Sequence, residues 1–566
     1  IQIITKRGSQ EYGKTRVTFR SEYGTNEILR KIDLSKSHAF SLNADGSYEL
    51  DENGLRINDT DQIFDNPYPR IFDQQEIVFP GRNFNNNFIS IGSTTEKTNF
   101  YASFDNLKNE GLVPGQLPYE RQSIKVNVDH AISDRLDAGI SAGYISSDGT
   151  TPQEGGQTGF IYGALLAEPD IDLNAPNPDG QPFNTRPRDI GNFTNANNPL
   201  YIAHNNQRFY EQTRILLGAN TSYKIFDWWN VGAQISLDRT NYFETRQTDR
   251  NFLSQSRAET GTGGSLDKRS NVNQARVITL SSNFSQSFGD FNAGLTLRYV
   301  GEEYLTDFNQ TLGTNLQAQG IFQLDNLDRT TLFSTSTQTT FRADNYMVNG
   351  KLDYREKIIF DGLYRLDRSS LFGPDARDQN FYRASLAYRL TEDFTIGGVQ
   401  EWKVRASVGT SGVRPQFASR YEIVTINGGI PNFQTNGNTN LAPTIIQEVE
   451  LGTNVRFLDR FDLEVNYSIA QADDQILNVP LPAIGGAPVQ FQNAAAMESN
   501  TIELALSADI LKGPVTWSAG FTFSRSRTKI TELNRPEYFL NAYNGTPAFE
   551  IKQGDQLGGI FGTLNA

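Results

Sequence analysis

The chain has 566 residues, a formal net charge of -14, 11% aromatic residues and no cysteine. Without cysteine it holds no disulfide framework, thiolate nucleophile, cysteine-ligated zinc or iron–sulfur cluster, and its acidic balance argues against nucleic acid as the main partner. Its aromatic content is that of a folded chain, although mean hydropathy is -0.50 and no run approaches the roughly 18 apolar residues of a transmembrane helix.

Ile1-Gln2-Ile3-Ile4-Thr5 shows neither the basic start nor the cleavage site of a targeting segment. The expectation is therefore a cytoplasmic protein or one whose real start lies elsewhere. Further along, Ile124, Val126 and Val128 alternate with polar residues, and after Ser133-Asp134-Arg135 the pattern resumes with Leu136, Ala138, Ile140, Ala142 and Tyr144. A period of two across a short polar connection predicts a β-hairpin with one apolar face. The unit returns as Ile278, Leu280 and Phe284 lead through Gly289-Asp290 into Ala293, Leu295, Leu297 and Tyr299. It returns again as Val449, Leu451, Val455 and Phe457 lead through Asp459-Arg460 into Phe461, Leu463, Val465, Tyr467 and Ile469.

Between these hairpins the connections are long and rich in Asn, Gly, Pro and Gln: Gly24 to Asn86, Asp148 to Gln207, Asp307 to Thr335, Thr410 to Pro443 and Asp473 to Met497. Tight turns at one end and long loops at the other predict an all-β fold, a large antiparallel transmembrane β-barrel of the outer membrane, with lipid against its apolar face. A soluble sandwich would place turn signals every ~8 to 12 residues. The alternation gives about 17 strands between Thr15 and Lys529. An odd antiparallel count does not close, and a barrel of about 22 strands needs about five more, so the expectation is that the carboxyl end is missing and that Ile530–Ala566 is extracellular loop. A wide lumen lined by Asn, Gln, Ser, Thr, Asp and Arg explains the polar composition. Tyr144, Trp228, Trp229, Tyr299, Phe457 and Phe461 near strand ends read as interface girdles.

Chemistry-bearing patterns are sparse. Gly139-Ile140-Ser141-Ala142-Gly143 fits G-x-S-x-G, but a nucleophile elbow needs a strand-to-helix turn and this segment sits inside an alternating strand. His38, His130 and His204 are far apart, with no paired ligand spacing. Asn43, Asp45, Asp51 and Asn53 are interleaved with Gly46 and Gly54, off the calcium-loop spacing, and read as turn formers. The reading is of no enzyme: no catalytic residues, metal site or cofactor. Ligand-binding residues are unassigned, although Phe193–Asn198 and Phe433–Asn436 mix rings with amides in a way that suits glycans.

Ile1-Gln2-Ile3-Ile4-Thr5-Lys6-Arg7-Gly8 resembles the last plug strand of SusC/RagA-type TonB-dependent transporters. Further matches follow in the family's order: Tyr101–Phe104, Asn109–Pro114, Tyr119–Arg121 and Asn127–Asp129, and most strongly Arg365–Pro374, Trp402–Gly412 and Gln475–Pro482. The resemblance implies residues 1–8 as the end of a plug, 9–529 as barrel strands with extracellular loops, and 530–566 as a loop before missing strands. It also implies uptake of an oligosaccharide or peptide at the outer membrane of a Gram-negative, Bacteroidota-like cell. Uptake would be energised by a TonB-ExbB-ExbD complex, under a SusD-like lipoprotein lid, with two barrel–lid pairs as a homodimer. In Asn493–Leu504 alanine and threonine stand where the family carries glycines before Met497 and Ile502, which implies a different local bend. The readings from other classes are a passive porin or adhesion barrel, and a secreted all-β carbohydrate-active enzyme.

Overall fold

The computed structural model describes residues 8, 13–52, 54, 56–151, 159–176, 182–183, 198–252, 262–427, 430–482, 487–541 and 547–559. Among them, seventeen strands form one antiparallel sheet. These are β1 (Thr15–Asn26), β2 (Arg82–Thr94), β3 (Thr98–Asn109), β4 (Tyr119–Ser133), β5 (Leu136–Thr150), β6 (Asn206–Phe226), β7 (Trp229–Thr248), β8 (Ser265–Phe288) and β9 (Phe291–Thr314). The sheet continues with β10 (Phe333–Tyr354), β11 (Ile358–Ser369), β12 (Asp378–Arg389), β13 (Val399–Val413), β14 (Thr444–Phe457), β15 (Phe461–Pro480), β16 (Val489–Leu511) and β17 (Trp517–Leu533). Each strand pairs with the next in the chain, so the sheet is one long meander. After a short hairpin of Tyr538–Asn541 with Pro547–Ile551, the chain returns to the far edge of β17. There the Gly554 amide donates to Ile530 O at 2.8 Å and the Leu557 amide to Thr528 O at 2.9 Å.

Register puts the alternating apolar residues on one face without a break. Phe19, Ile89, Phe104, Ile124, Tyr144 and Ile215 stand opposite one another across six successive strands. Large apolar side chains on this face are exposed, Ile140 at 63% and Phe521 at 58% among them. Such a band costs free energy in water and is the natural surface of a wall in lipid. Its lower rim is aromatic: Phe226, Trp228, Trp229 and Phe284 stack with ring centroids 5.5 to 6.3 Å apart, and Phe457 stacks on Phe461. Its upper rim is tyrosine, with Tyr299 opposite Tyr346 and Tyr364 opposite Tyr382. From Phe291 to Tyr299 is about nine residues, the length that carries a tilted strand across a bilayer. Beyond the tyrosines the outward face turns ionic: Glu303 bridges Arg276 (3.0 Å) and Arg342 (2.8 Å), Arg368 pairs with Asp378 (2.9 Å) and Lys108 with Glu120 (2.8 Å).

The walls rise well above that level, since β8 and β9 are 24 residues each. This differs from the loop expectation: most of Asp473–Met497 is strand, β15 running to Pro480 and β16 from Val489, and β9 continues past Asp307 to Thr314. Outside lipid neither face has to be apolar, so the alternation that marks a strand in sequence disappears while the ladder continues. Likewise Tyr144 and Tyr299 lie mid-strand, at the rim of the apolar band rather than at strand ends.

Three loops fold together over one side of the mouth. The short helices α1 (Gln74–Val78), α2 (Phe160–Leu166) and α3 (Pro199–Asn205) bury Val78, Phe160, Ala164, Leu173, Leu200 and Ala203 with Val113 of the loop after β3. Asp73 caps α1 by accepting from the Glu76 amide at 3.0 Å, and Asn198 caps α3 through the Leu200 amide. Arg56 ties this cap across chain-distant loops, pairing with Asp170 at 2.7 Å and Glu168 at 3.3 Å while lying 3.5 Å from the centre of the Tyr48 ring.

Candidate functional site

The face opposite the apolar band is polar, and its charges are paired across strands. On the inner side of β1–β7 an 820 Å³ recess is lined by Arg20, Asp105, Arg121, Lys125, Gln234 and Asp238, with Arg121 donating to Asp105 at 2.8 Å. On the inner side of β9–β13 a larger network forms. Asp367, almost wholly buried, accepts from Arg365 at 2.9 Å and from Arg414 at 3.1 Å. Arg414 also reaches Glu302 at 2.7 Å, and Arg365 donates to the buried Asn345 at 2.7 Å. Burial works against the Arg414 charge, but Glu302 and Asp367 outweigh it and hold its pKa above the ordinary arginine value. Tyr304 and Phe341 stack beside it, centroids 4.6 Å apart.

The local wall explains why Arg414 can reach so far. β12 and β13 pair only from Arg383 opposite Gly409 down to Arg389 opposite Lys403; above that level the two strands part. The Phe381 ring fills the seam by lying over Gly412, where a Cβ would meet its Cζ at 2.5 Å. Arg414 follows directly and crosses to β9 and β11. The loop it begins is fastened at several further points: Arg420 donates to Phe372 O (2.6 Å), Asn438 to Phe491 O (2.8 Å), and the Gly373 amide to Leu441 O (3.2 Å). Gly373 packs so closely on the Thr439 carbonyl that no side chain fits there.

Two of the three segments that carry the strongest resemblance meet here. Arg365 and Asp367 supply the network, and Trp402–Gly412 forms β13, with Trp402 Nε1 donating to Thr453 Oγ1 at 3.0 Å. Gln475–Pro480 closes the top of β15 after an irregularity at Ala472/Gln475, where Asp474 takes φ 57°. In Asn493–Leu504, β16 runs unbroken, slipping register between Ala496 and Met497 against β17. The irregularity in this segment is that slip, at alanine and methionine and not at a glycine. Glu302, Asn345 and Arg414 gave no signal in the sequence, because strand register brings the first two to the level of Asp367 and Arg414 reaches it only from the start of a loop.

Other candidate residues have structural places. Gly139–Gly143 lies within β5, so Ser141 is on a wall and not at an elbow. His38 is buried among Phe40, Tyr48 and Tyr68, His130 bonds Thr98 at 2.8 Å, and His204 sits near Phe183. Asp45 accepts from the Ser47 amide and hydroxyl, a turn of the kind expected. Asn53 and Phe193–Asn197 lie outside the described residues. Phe433 is exposed on a hairpin of Ile423–Asn427 and Ile430–Thr435, next to Val424.

The family model described as "TonB dependent receptor-like, beta-barrel" matches residues 143–561. The chain belongs to that family. Its members are non-enzymatic transporters of the Gram-negative outer membrane. TonB-dependent receptor P3 of Formosa agariphila is 23% identical over 99% of this chain and 56% of its own length; receptor P26 of the same organism is 23% identical over 80% and 46%. The chain thus spans about half the length of the curated relatives it matches. Among solved structures, the RagAB peptide transporter superposes on 97% of this TonB-dependent receptor barrel and 65% of its own chain with a TM-score of 0.79 at 17% identity. The Escherichia coli outer-membrane transporter YddB covers 96% and 65% with 0.54 at 10%.

Proposed function

We propose that this chain is the barrel of an energised nutrient importer of the SusC/RagA kind, working in the outer membrane of a Bacteroidota-like cell. Residues 1–8 close a plug that fills the lumen, and residues 9–529 with the segment to 566 form the wall and outer loops. The cargo, an oligosaccharide or a peptide, binds in the outer cavity beneath a SusD-like lipoprotein, and a TonB-ExbB-ExbD complex pulls on the plug to release it inward. Transport here shifts the population of a gated state and breaks no bond in the cargo. Two such barrel–lid pairs assemble as a homodimer.

The observation that carries this reading is the family membership joined to the wall itself: an apolar band of bilayer height outside, and inside it charge networks such as Arg414–Asp367–Arg365. The fold shared with RagAB, described as a peptide importer with open and closed states, supports it. Uptake measured in intact cells tests it. Import that stops on adding a proton ionophore, and on deleting the plug's TonB-contacting segment while binding persists, is the expected result; import indifferent to both identifies a passive porin.

A further inference from the structure

The upper inner wall of β6, β7 and β8 carries an arrangement that the import reading does not use. Arg208 stands directly opposite Arg246, and Arg246 opposite Asp267; one step along, Tyr210 is opposite Glu244, and Glu244 opposite Arg269. All six face the lumen, because they share the alternation of Asp238, which lines the inner recess. Like charges placed opposite one another across a sheet destabilise it unless something compensates. Here a single carboxylate serves both: Glu244, 4% exposed, accepts from Arg208 Nε and, at 2.9 Å, from Arg246 Nε. Asp267 is taken by Arg269 at 2.6 Å and by Gln310 at 2.9 Å. Three guanidiniums thus face two carboxylates, a local positive excess inside a chain whose net charge is -14. The side chains of Arg208 and Arg246 stay 40% and 37% exposed to the lumen. Beside them Tyr210 and Tyr242 stack, centroids 5.9 Å apart and planes 20° from parallel.

We propose that this corner binds an acidic oligosaccharide, its carboxylate held by Arg208 and Arg246 and a sugar ring lying against Tyr210 and Tyr242. Guanidiniums recognise carboxylates through paired charge-assisted hydrogen bonds. The sheet argues for sugar over peptide. Both edges of β7 and β8 are fully laddered here, so no backbone edge is left for an extended peptide to pair with. Side chains alone must recognise the ligand, and beside the arginines on the same face the uncharged ones are rings and amides: Tyr210, Tyr242, Gln212 and Gln310.

The inference rests on the import reading, so it is tested by binding, which needs no energy source. Full-length protein in detergent is titrated with oligogalacturonate, with a neutral malto-oligosaccharide and with hexaglutamate. Oligogalacturonate is expected to bind at least about tenfold tighter than the other two, a difference of about 1.4 kcal/mol, and to weaken as salt rises. The paired substitution R208Q/R246Q should remove that preference; Arg246→Lys, which keeps the charge and loses the fork, should lower affinity by several-fold. An unheated-gel mobility shift checks that each variant is folded. Equal binding of acidic and neutral sugars, hexaglutamate binding as tightly as the uronate, no binding of the uronate, or variants that bind it as well as the parent would each overturn the proposal. Retained uronate binding with uptake that ignores an ionophore would overturn only the import reading.

Discussion

Asp367 shows how much one side chain can hold in a barrel wall. Its carboxylate is nearly buried and shared by Arg365 and Arg414, so removing it leaves two guanidiniums with only Glu302 as counter-charge. Breaking a buried pair from one side costs about 3 to 5 kcal/mol, and the partial exposure of both arginines reduces that here. Asp367→Ala should therefore lower the temperature at which the folded band disappears on an unheated gel, and free the 414–443 loop for proteolysis. A thermal profile matching the parent would show the network to be incidental. Gly412 makes the complementary case. A valine there must displace the Phe381 ring, opening the seam between β12 and β13, and overpacking of this kind costs about 1 to 3 kcal/mol. Gly412→Val paired with Phe381→Ala should recover most of the loss, measured in the same assay.

At the scale of elements, the cap and the strands differ in what the sequence discloses. The hairpins around Ser133-Asp134-Arg135, Gly289-Asp290 and Asp459-Arg460 were legible because lipid demands an apolar residue at every outward position, which is every second residue of the strand. The wall above the tyrosine rim was not, since water on both faces lifts that demand. The three-loop cap left no periodic trace either: its core joins Val78, Val113, Phe160 and Leu200 from loops far apart in the chain. The arginine corner was equally hidden, because neither Arg208 nor Arg246 stands out until register sets them opposite each other.

Phe160→Ala should cost the cap about 3 to 5 kcal/mol while the barrel, which shares none of that core, keeps its gel mobility; proteolysis would then cut 27–81 and 151–205 first. Acid should loosen the same region by another route. The Lys31 ammonium, hydrogen-bonded to Asp73, holds that carboxyl below 3.8, and the Glu76 amide it caps acts in the same direction. A depressed carboxylate stabilises the fold above its unfolded pKa and loses that contribution as pH falls through the folded value. Amide protection in α1 should thus decline below about pH 4, and Asp73→Asn, which keeps the cap oxygen and removes the charge, should flatten that decline.

For the molecule as a whole, the distribution of tryptophan fixes the position of the wall in the membrane. The chain has four Trp: Trp228 and Trp229 at the β6–β7 turn, Trp402 near the start of β13 and Trp517 at the start of β17. All four lie at the end of the sheet that carries the tight turns, and the opposite rim of the apolar band uses tyrosine instead. Indole prefers the headgroup level, where its ring is apolar on one side and its N–H is wet. The turn end therefore sits at a lipid interface, and the 24-residue strands β8 and β9 must project on the other side, because a bilayer consumes only about 9 to 11 residues of each. This orientation places the cap, the 414–443 loop and the arginine corner together on the long-strand side, the side from which cargo enters in the proposed importer. In vesicles containing brominated lipid, tryptophan emission should be quenched strongly by bromine carried near the headgroup and weakly by bromine near the chain end. Stronger quenching by the deep bromine would move the indoles into the hydrocarbon, lift the tyrosine rim and the upper part of the apolar band into water, and draw the charged turns at Asp134-Arg135, Asp290 and Asp459-Arg460 into lipid, which their charges do not allow.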